Sequence, residues 1–261
     1  MAEIDLSNRV AVVTGGTRGI GRGIAEAFLA AGARVVLSSR STEKGRAALA
    51  EIGAGDRAVF IAGNVQNRDD VENLIAQTIS TFGRVDILVN NAGGSSGFAP
   101  VADMSEEAWH EAAAWILHSA FWATRAALKD MESRGFGRII NISSVEGRQA
   151  NKATVAHYIT FKHALNGFTK AVAFEYGEKG ITSNAISPGG VETDLMRESG
   201  PAAAESMGIT YEAFKSNYAQ DAAIRRLNTV EEVAAMALLL ASDLGGGITG
   251  AVLPIDGGTA L

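Results

Sequence analysis

The chain has 261 residues, a hydrophobic share of 47%, a formal net charge of −6 and an isoelectric point near 5.3. That much apolar side chain sustains a packed core and excludes a disordered composition, and without a basic tract nucleic acid is not expected as a partner. No cysteine is present, which excludes disulfides, thiolate metal sites and cysteine nucleophiles and fits a reducing cytoplasm.

The start, Met1-Ala2-Glu3-Ile4-Asp5, lacks the basic and apolar regions of a signal peptide. The longest apolar run, from Val233 to Ala241, is about half a membrane span. A soluble cytoplasmic protein with no membrane partner is therefore expected. In chain order, short Val- and Ile-rich runs fall at 10–14, 34–38, 58–62, 85–90, 139–143, 181–186 and 251–255. Most do not alternate with polar residues, as strands buried on both faces do not. Helical spacing occupies the intervals between them, as at 22–31 and 69–82. Repeated strand–helix alternation predicts an α/β fold: a doubly wound Rossmann-type parallel sheet of about seven strands, with helices on both faces. No linker composition or internal repeat divides it, so one domain over 1–261 is expected.

The first predicted strand runs into Thr14-Gly15-Gly16-Thr17-Arg18-Gly19-Ile20-Gly21. Glycine lets backbone amides approach phosphate oxygens, and a following helix N-terminus adds its positive dipole. A tight strand-to-helix turn without a ligand is the plainer reading of the same glycines. The second strand ends Leu37-Ser38-Ser39-Arg40, with no acid until Glu43. An acid there usually binds the ribose hydroxyls of NAD(H). Arg40 and Arg18 instead suit a 2′-phosphate, so NADP(H) is the expected cofactor, with NAD(H) possible.

Tyr158 and Lys162 stand four residues apart, on one face of a helix. A free phenol titrates near 10, and a neighbouring ammonium together with a positive oxidised nicotinamide favours its ionised form. Tyr158 would then exchange a proton with a substrate oxygen as hydride moves. An aromatic on a core helix beside an exposed lysine is the alternative. Ser143 and Ser144 close the fifth strand, where a hydroxyl can donate to a carbonyl, although serines also simply begin loops.

With these residues placed, the chain resembles the classical short-chain dehydrogenase/reductase family from Val10 to Gly258. The glycine turn, Asn90-Asn91-Ala92-Gly93, the set Ser144, Tyr158 and Lys162, Pro188-Gly189 with Thr193, and Asp256-Gly257-Gly258 occur in the family's order. The resemblance implies an oxidoreductase that interconverts a secondary alcohol and a ketone, with Ser144, Tyr158 and Lys162 catalytic. It implies cofactor contacts from Gly15, Thr17, Arg18, Gly19, Ile20 and Gly21, and from Ser39, Arg40, Asn64 and Val65. Asn91, Ala92, Gly93, Tyr158, Lys162, Pro188, Gly189, Val191 and Thr193 complete that set. Asn64 stands where the family more often has aspartate; its amide oxygen would accept from the adenine amino group. A homotetramer is implied, formed through helices over 106–131 and 158–176. The run Lys162–Gly167 is similar to hydroxybutyrate-dehydrogenase-like members without fixing a substrate.

Two departures stand out. The stretch from Ser144 to Tyr158 is one residue longer than usual. Ile116 stands where the family has an asparagine that helps to hold a water between the lysine and solvent. Isoleucine cannot hydrogen-bond, so that relay is interrupted or rerouted, and a nucleotide-binding regulatory or scaffolding protein is the competing reading. His118 is a candidate substitute, but it sits two residues along the helix and points elsewhere. His157, beside Tyr158, either shapes the substrate pocket or, the preferred reading, is a surface residue at a helix start. A lid over about 194–226 carries Met196, Met207, Tyr211, Phe214 and Tyr218, which either line an apolar pocket or pack the lid down. The segment 94–98 forms the opposite rim. The four histidines show no metal-ligand spacing, and no metal site is expected.

Overall fold

The computed structural model describes residues 4–259, apart from the Leu195 side chain. Its strands are β1 (Val10–Thr14), β2 (Arg34–Ser39), β3 (Ala58–Ala62), β4 (Ile87–Asn90), β5 (Gly137–Ile142), β6 (Ile181–Pro188) and β7 (Val252–Ile255). They form one sheet in the order β3-β2-β1-β4-β5-β6-β7, every pair parallel. Strands β1, β4, β5 and β6 are buried at every residue, because helices cover both faces.

Strand pleating divides β1 between two cores. Ala11 and Val13 pack with Ile24 and Phe28 of α1 (Gly19–Ala30) and with Val233 and Leu240 of α9 (Val230–Ala241). Val12 faces the other layer, with Leu74 and Ile75 of α3 (Arg68–Phe82), Met131 of α5 (Ser119–Arg134) and Val172 of α6 (Ala156–Tyr176). Helix α2 (Thr42–Ile52) follows β2, and α7 (Asp194–Ser206) and α8 (Tyr211–Gln220) follow β6.

Strand β4 starts two residues later than its apolar run because side chains claim the backbone there. Val85 N–H donates to Asp130 at 2.9 Å. The buried Asp86 carboxylate accepts from Val10 N–H at 2.9 Å and from Arg84 and Arg134 at 2.6 and 2.7 Å.

The long helix expected over 106–131 is not uniform. It begins as α4 (Glu106–Ala113), passes through a π-helical stretch (Ala114–His118) and continues as α5. Ser119 N–H reaches back five residues to the Ala114 carbonyl, and Ser119 Oγ donates to the Trp115 carbonyl at 2.6 Å. Such a stretch takes in one residue more than an α-turn allows and re-aims the side chains around it. Between β1 and β4 the strand order reverses, which opens a crevice at the carboxyl ends of the strands. Among the described residues no helix is long and apolar enough to cross a membrane.

Candidate active site

The glycine turn after β1 forms the floor of that crevice. Gly15 and Gly19 take left-handed φ values of +63° and +52°. A Cβ on Gly21 would lie 2.4 Å from the Gly15 carbonyl oxygen, so only glycine lets α1 start this close to β1. Of the residues expected to touch the cofactor, all but Gly21 line a single cavity of about 410 Å³. Gly21 is buried beneath it.

Several of these residues also hold the cavity in shape. Asn91 Nδ2 donates to the carbonyls of Thr14 and Gly15 at 2.9 and 3.2 Å, clamping the end of β4 to the glycine turn. Thr14 Oγ1 accepts from the N–H groups of Asn91 and Ala92, both at 3.0 Å. Asn64 Oδ1 accepts from Gln66 N–H at 3.2 Å, so its second lone pair is what remains for an adenine. Ser39 Oγ is buried against the cavity with no partner among the described residues. Arg40 lies beside it, its guanidinium 5.5 Å from the centre of the Trp115 ring. Among the described residues no carboxylate lines this cavity, and Arg18 is the second guanidinium in its wall. An unpartnered hydroxyl, two guanidinium groups and a glycine cradle fit a nicotinamide dinucleotide.

Two lid contacts were not foreseen. Asp194, at the start of α7, accepts from Gly19 N–H at 3.1 Å, and Glu198 lies 3.5 Å from Arg18. A carboxylate thus takes an amide that was expected to face phosphate.

Tyr158 and Lys162 sit on successive turns of α6, with the ammonium 5.5 Å from the phenol ring centre. Lys162 Nζ donates to the Ile142 carbonyl at 2.7 Å, and burial lowers its pKa to about 8. Ser144 caps the turn Val145–Gly147, its Oγ accepting from Glu146 N–H at 3.2 Å, and it lines the same cavity wall as Tyr158. The expected acidic phenol requires the oxidised nicotinamide as well as Lys162, and in the chain alone the Tyr158 pKa lies above its ordinary value. Burial raises it, the Ser144 hydroxyl lowers it and the Glu146 charge raises it again. Without a bound positive ring, Tyr158 is a proton donor.

Ile116 is buried with Ala120 and Leu165, against Tyr158 and Phe161. A Cβ on Gly93 would lie 3.5 Å from Lys162 Nζ and 3.9 Å from Ile116 Cγ1, so both side chains flank this glycine. The lysine therefore has a hydrocarbon neighbour on that side. His118 is exposed and tilts against Trp122, away from this spot. His157, expected at the surface, is fully buried. Its Nε2 lies 2.9 Å from the Ser96 carbonyl oxygen and its ring meets Phe98 edge-on, which pins the rim at 94–98. Trp115, which sequence reasoning passed over, lies in the π-helical stretch and lines the nucleotide cavity.

A second cavity, of about 500 Å³, meets the first at Ser144, Tyr158 and Gly189. Ser95 and Phe98 form the expected rim, but of the lid's apolar candidates only Tyr218 lines it. Tyr211 donates to the Met196 carbonyl and stacks on Phe214, and Phe214 meets Tyr218 edge-on. Met207 faces outward. Packing is therefore the role of Tyr211 and Phe214, and the cavity is more polar than expected, with Glu146, Asn151, Lys152 and Asp221 in its wall. Lys215 pairs with Glu212, and Arg226 pairs with Glu232 at the start of α9.

The family model described as short chain dehydrogenase matches residues 9–204. The chain belongs to this family. As a short chain dehydrogenase it is an oxidoreductase acting on CH–OH groups. It is 37% identical to 3beta-hydroxysteroid dehydrogenase 2 of Eggerthella lenta, over 97% of this chain and 95% of that protein. It is 36% identical to D-beta-hydroxybutyrate dehydrogenase of Cupriavidus necator, over 97% of this chain and 98% of that protein. Among solved structures, a variant actinorhodin polyketide ketoreductase with NADPH superposes with a TM-score of 0.90 at 35% identity, covering 96% of this chain and 97% of that one.

Proposed function

We propose that this short chain dehydrogenase is an NADP(H)-dependent enzyme that interconverts a secondary alcohol and a ketone, with Tyr158 as the acid/base. One observation carries the reading: the Ser144–Tyr158 hydroxyl pair lies where the nucleotide cavity opens into the second cavity. A nicotinamide cofactor, when bound, supplies or accepts the hydride. Arg18, Arg40 and Ser39 would hold the 2′-phosphate end, and the glycine turn the pyrophosphate. Ser144 orients the carbonyl oxygen, and Tyr158 donates the proton to it. Lys162 raises the local potential and fixes the α6 face. The superposed ketoreductase was solved with NADPH, which favours the phosphorylated cofactor.

The same reading takes the chain as one dinucleotide-binding domain with a lid at 194–226, acting in the cytoplasm. It makes the protein a homotetramer, because Phe121 of α5 and Phe174 of α6 lie exposed on the helices expected to pair. Absorbance assays of both cofactors against a panel of alcohols and ketones test the activity. Tyr158→Phe should lower kcat by about 100-fold or more. Full turnover in that variant overturns the role of Tyr158.

Ile116 supports a second reading, a nucleotide-binding regulatory or scaffolding protein with slowed chemistry. Ile116→Asn discriminates. A large rise in turnover per folded molecule would show that the hydrocarbon beside Lys162 interrupts proton supply. Unchanged turnover would show that the reaction does not use that route. No turnover by the wild type, despite tight cofactor binding, would favour the second reading outright.

A further inference from the structure

Glu146 is the most anomalous side chain in the substrate cavity. It is 3% exposed, and among the described residues neither carboxylate oxygen has a hydrogen-bond partner. A carboxylate offers only acceptors, and burying one without donors costs free energy. The nearest cation, Lys152, stands 3.7 Å from Oε1, beyond hydrogen-bond reach, and its side chain is 42% exposed. It also leans over the Tyr218 ring at 4.8 Å, which holds it at the mouth.

The position of Glu146 is rigidly set. It lies in the Val145–Gly147 turn, and its N–H donates to Ser144 Oγ at 3.2 Å. Asn166 donates to the Gly147 carbonyl at 2.8 Å, and a Cβ on Gly147 would lie 2.6 Å from Ser143 Oγ. The turn that places the Ser144 hydroxyl beside Tyr158 therefore also fixes this carboxylate in the wall of the same cavity. Asp221 adds a second acid to the wall, and among the described residues Lys152 is its only cation.

We propose that Glu146 determines substrate specificity, accepting a hydrogen bond from a hydroxyl or ammonium group carried beyond the reacting carbon and disfavouring a carboxylate there. This rests on the oxidoreductase reading of the same site, and it names the substrate class: hydroxy- or amino-substituted ketones and the corresponding alcohols. Free keto acids are poor candidates, because their carboxylate would meet Glu146 and Asp221. A donor on the substrate satisfies the acceptors that the protein leaves open, and a substrate lacking it leaves them buried and unpaired.

The test uses four matched ketones, namely hydroxyacetone, aminoacetone, butanone and pyruvate, and the same four with the arm one and two methylenes longer. Binding is read by ligand-observed magnetic resonance on the full chain in the Tyr158→Phe background, with and without NADPH, so that no turnover is needed. At the arm length that reaches Glu146, the hydroxyl and ammonium members should bind at least tenfold more tightly than the plain ketone, and the keto acid most weakly. Glu146→Ala should abolish this ranking. The nearly isosteric Glu146→Gln should keep hydroxyl binding and lose the advantage of ammonium over hydroxyl, which guards against misfolding as the explanation. An unchanged ranking in Glu146→Ala, a keto acid binding best to the protein with Glu146 intact, or no binding by any member overturns the proposal. Failure of the oxidoreductase reading would appear separately, as absence of hydride transfer with the wild type despite a Glu146-dependent binding order.

Discussion

Lys162→Met tests the electrostatics of the site without a substrate. The ammonium is buried, with a neutral carbonyl as its hydrogen-bond acceptor. Burial holds its pKa at about 8 rather than the ordinary 10.5. At 1.36 kcal/mol per pH unit, the charged form costs the fold roughly 3 kcal/mol at neutral pH. Below pH 8 the folded and unfolded chains both carry the proton, and that cost is constant. Between pH 8 and 10.5 the unfolded chain keeps a proton that the folded chain has released, so this lysine makes stability rise with pH. Methionine has no such proton. At neutral pH the variant escapes the cost but strands the Ile142 carbonyl, worth about 1–3 kcal/mol, so the two effects largely offset each other. The change with pH is the decisive quantity: the wild type should gain about 3 kcal/mol on the variant across that window. Urea unfolding of cofactor-free protein at a series of pH values measures it, and other titrating groups cancel in the difference. A difference that stays flat with pH would refute the reasoning, because Lys162 would then titrate alike in both states.

Arg40→Ala should weaken NADPH binding by about tenfold or more, the worth of one charge-assisted hydrogen bond, and leave NADH nearly unaffected; equal losses for both cofactors in fluorescence titrations would remove Arg40 from the 2′-phosphate. Asp194→Ala frees Gly19 N–H and should tighten cofactor binding several-fold, whereas weaker binding in the same titration would make the lid carboxylate a helper rather than a competitor. Asp86→Asn removes the charge that faces Arg84 and Arg134 at the far end of the sheet. It should cost about 3 kcal/mol, because two part-buried guanidinium groups and the buried Val10 N–H lose their carboxylate, and lower Tm by roughly 6–12 °C with kcat unchanged. Scanning calorimetry beside a turnover assay checks this, and an unaltered Tm would contradict it.

The sheet was legible because Val and Ile runs buried on both faces leave a local signature that needs no partner to be recognised. All seven runs became strands, and the later start of β4 reflects Asp130 and Asp86, whose partners lie far away in sequence. The glycine turn and the Tyr158–Lys162 spacing were legible for the same reason: each is a short-range geometric requirement. What escaped notice depends on tertiary contact. Helical periodicity over 106–131 cannot show that a π-stretch intervenes, so Trp115 was missed. His157 looked like a surface residue because nothing nearby in sequence announces that Ser96 closes over it. The proton affinity of Tyr158 in the chain alone is set by burial and by Glu146, neither of which the spacing to Lys162 reveals.

The π-helical stretch also means that chain length, as much as residue identity, governs this crevice. Excising one amino acid between positions 114 and 118 would let ordinary i-to-i+4 bonding resume, turning α4 by about 100° relative to α5. The indole would swing off the Arg40 guanidinium and Ile116 off the Gly93 flank, with every ligand-facing side chain still encoded. A one-residue deletion in this short span would therefore disturb the nucleotide pocket more than most single substitutions there.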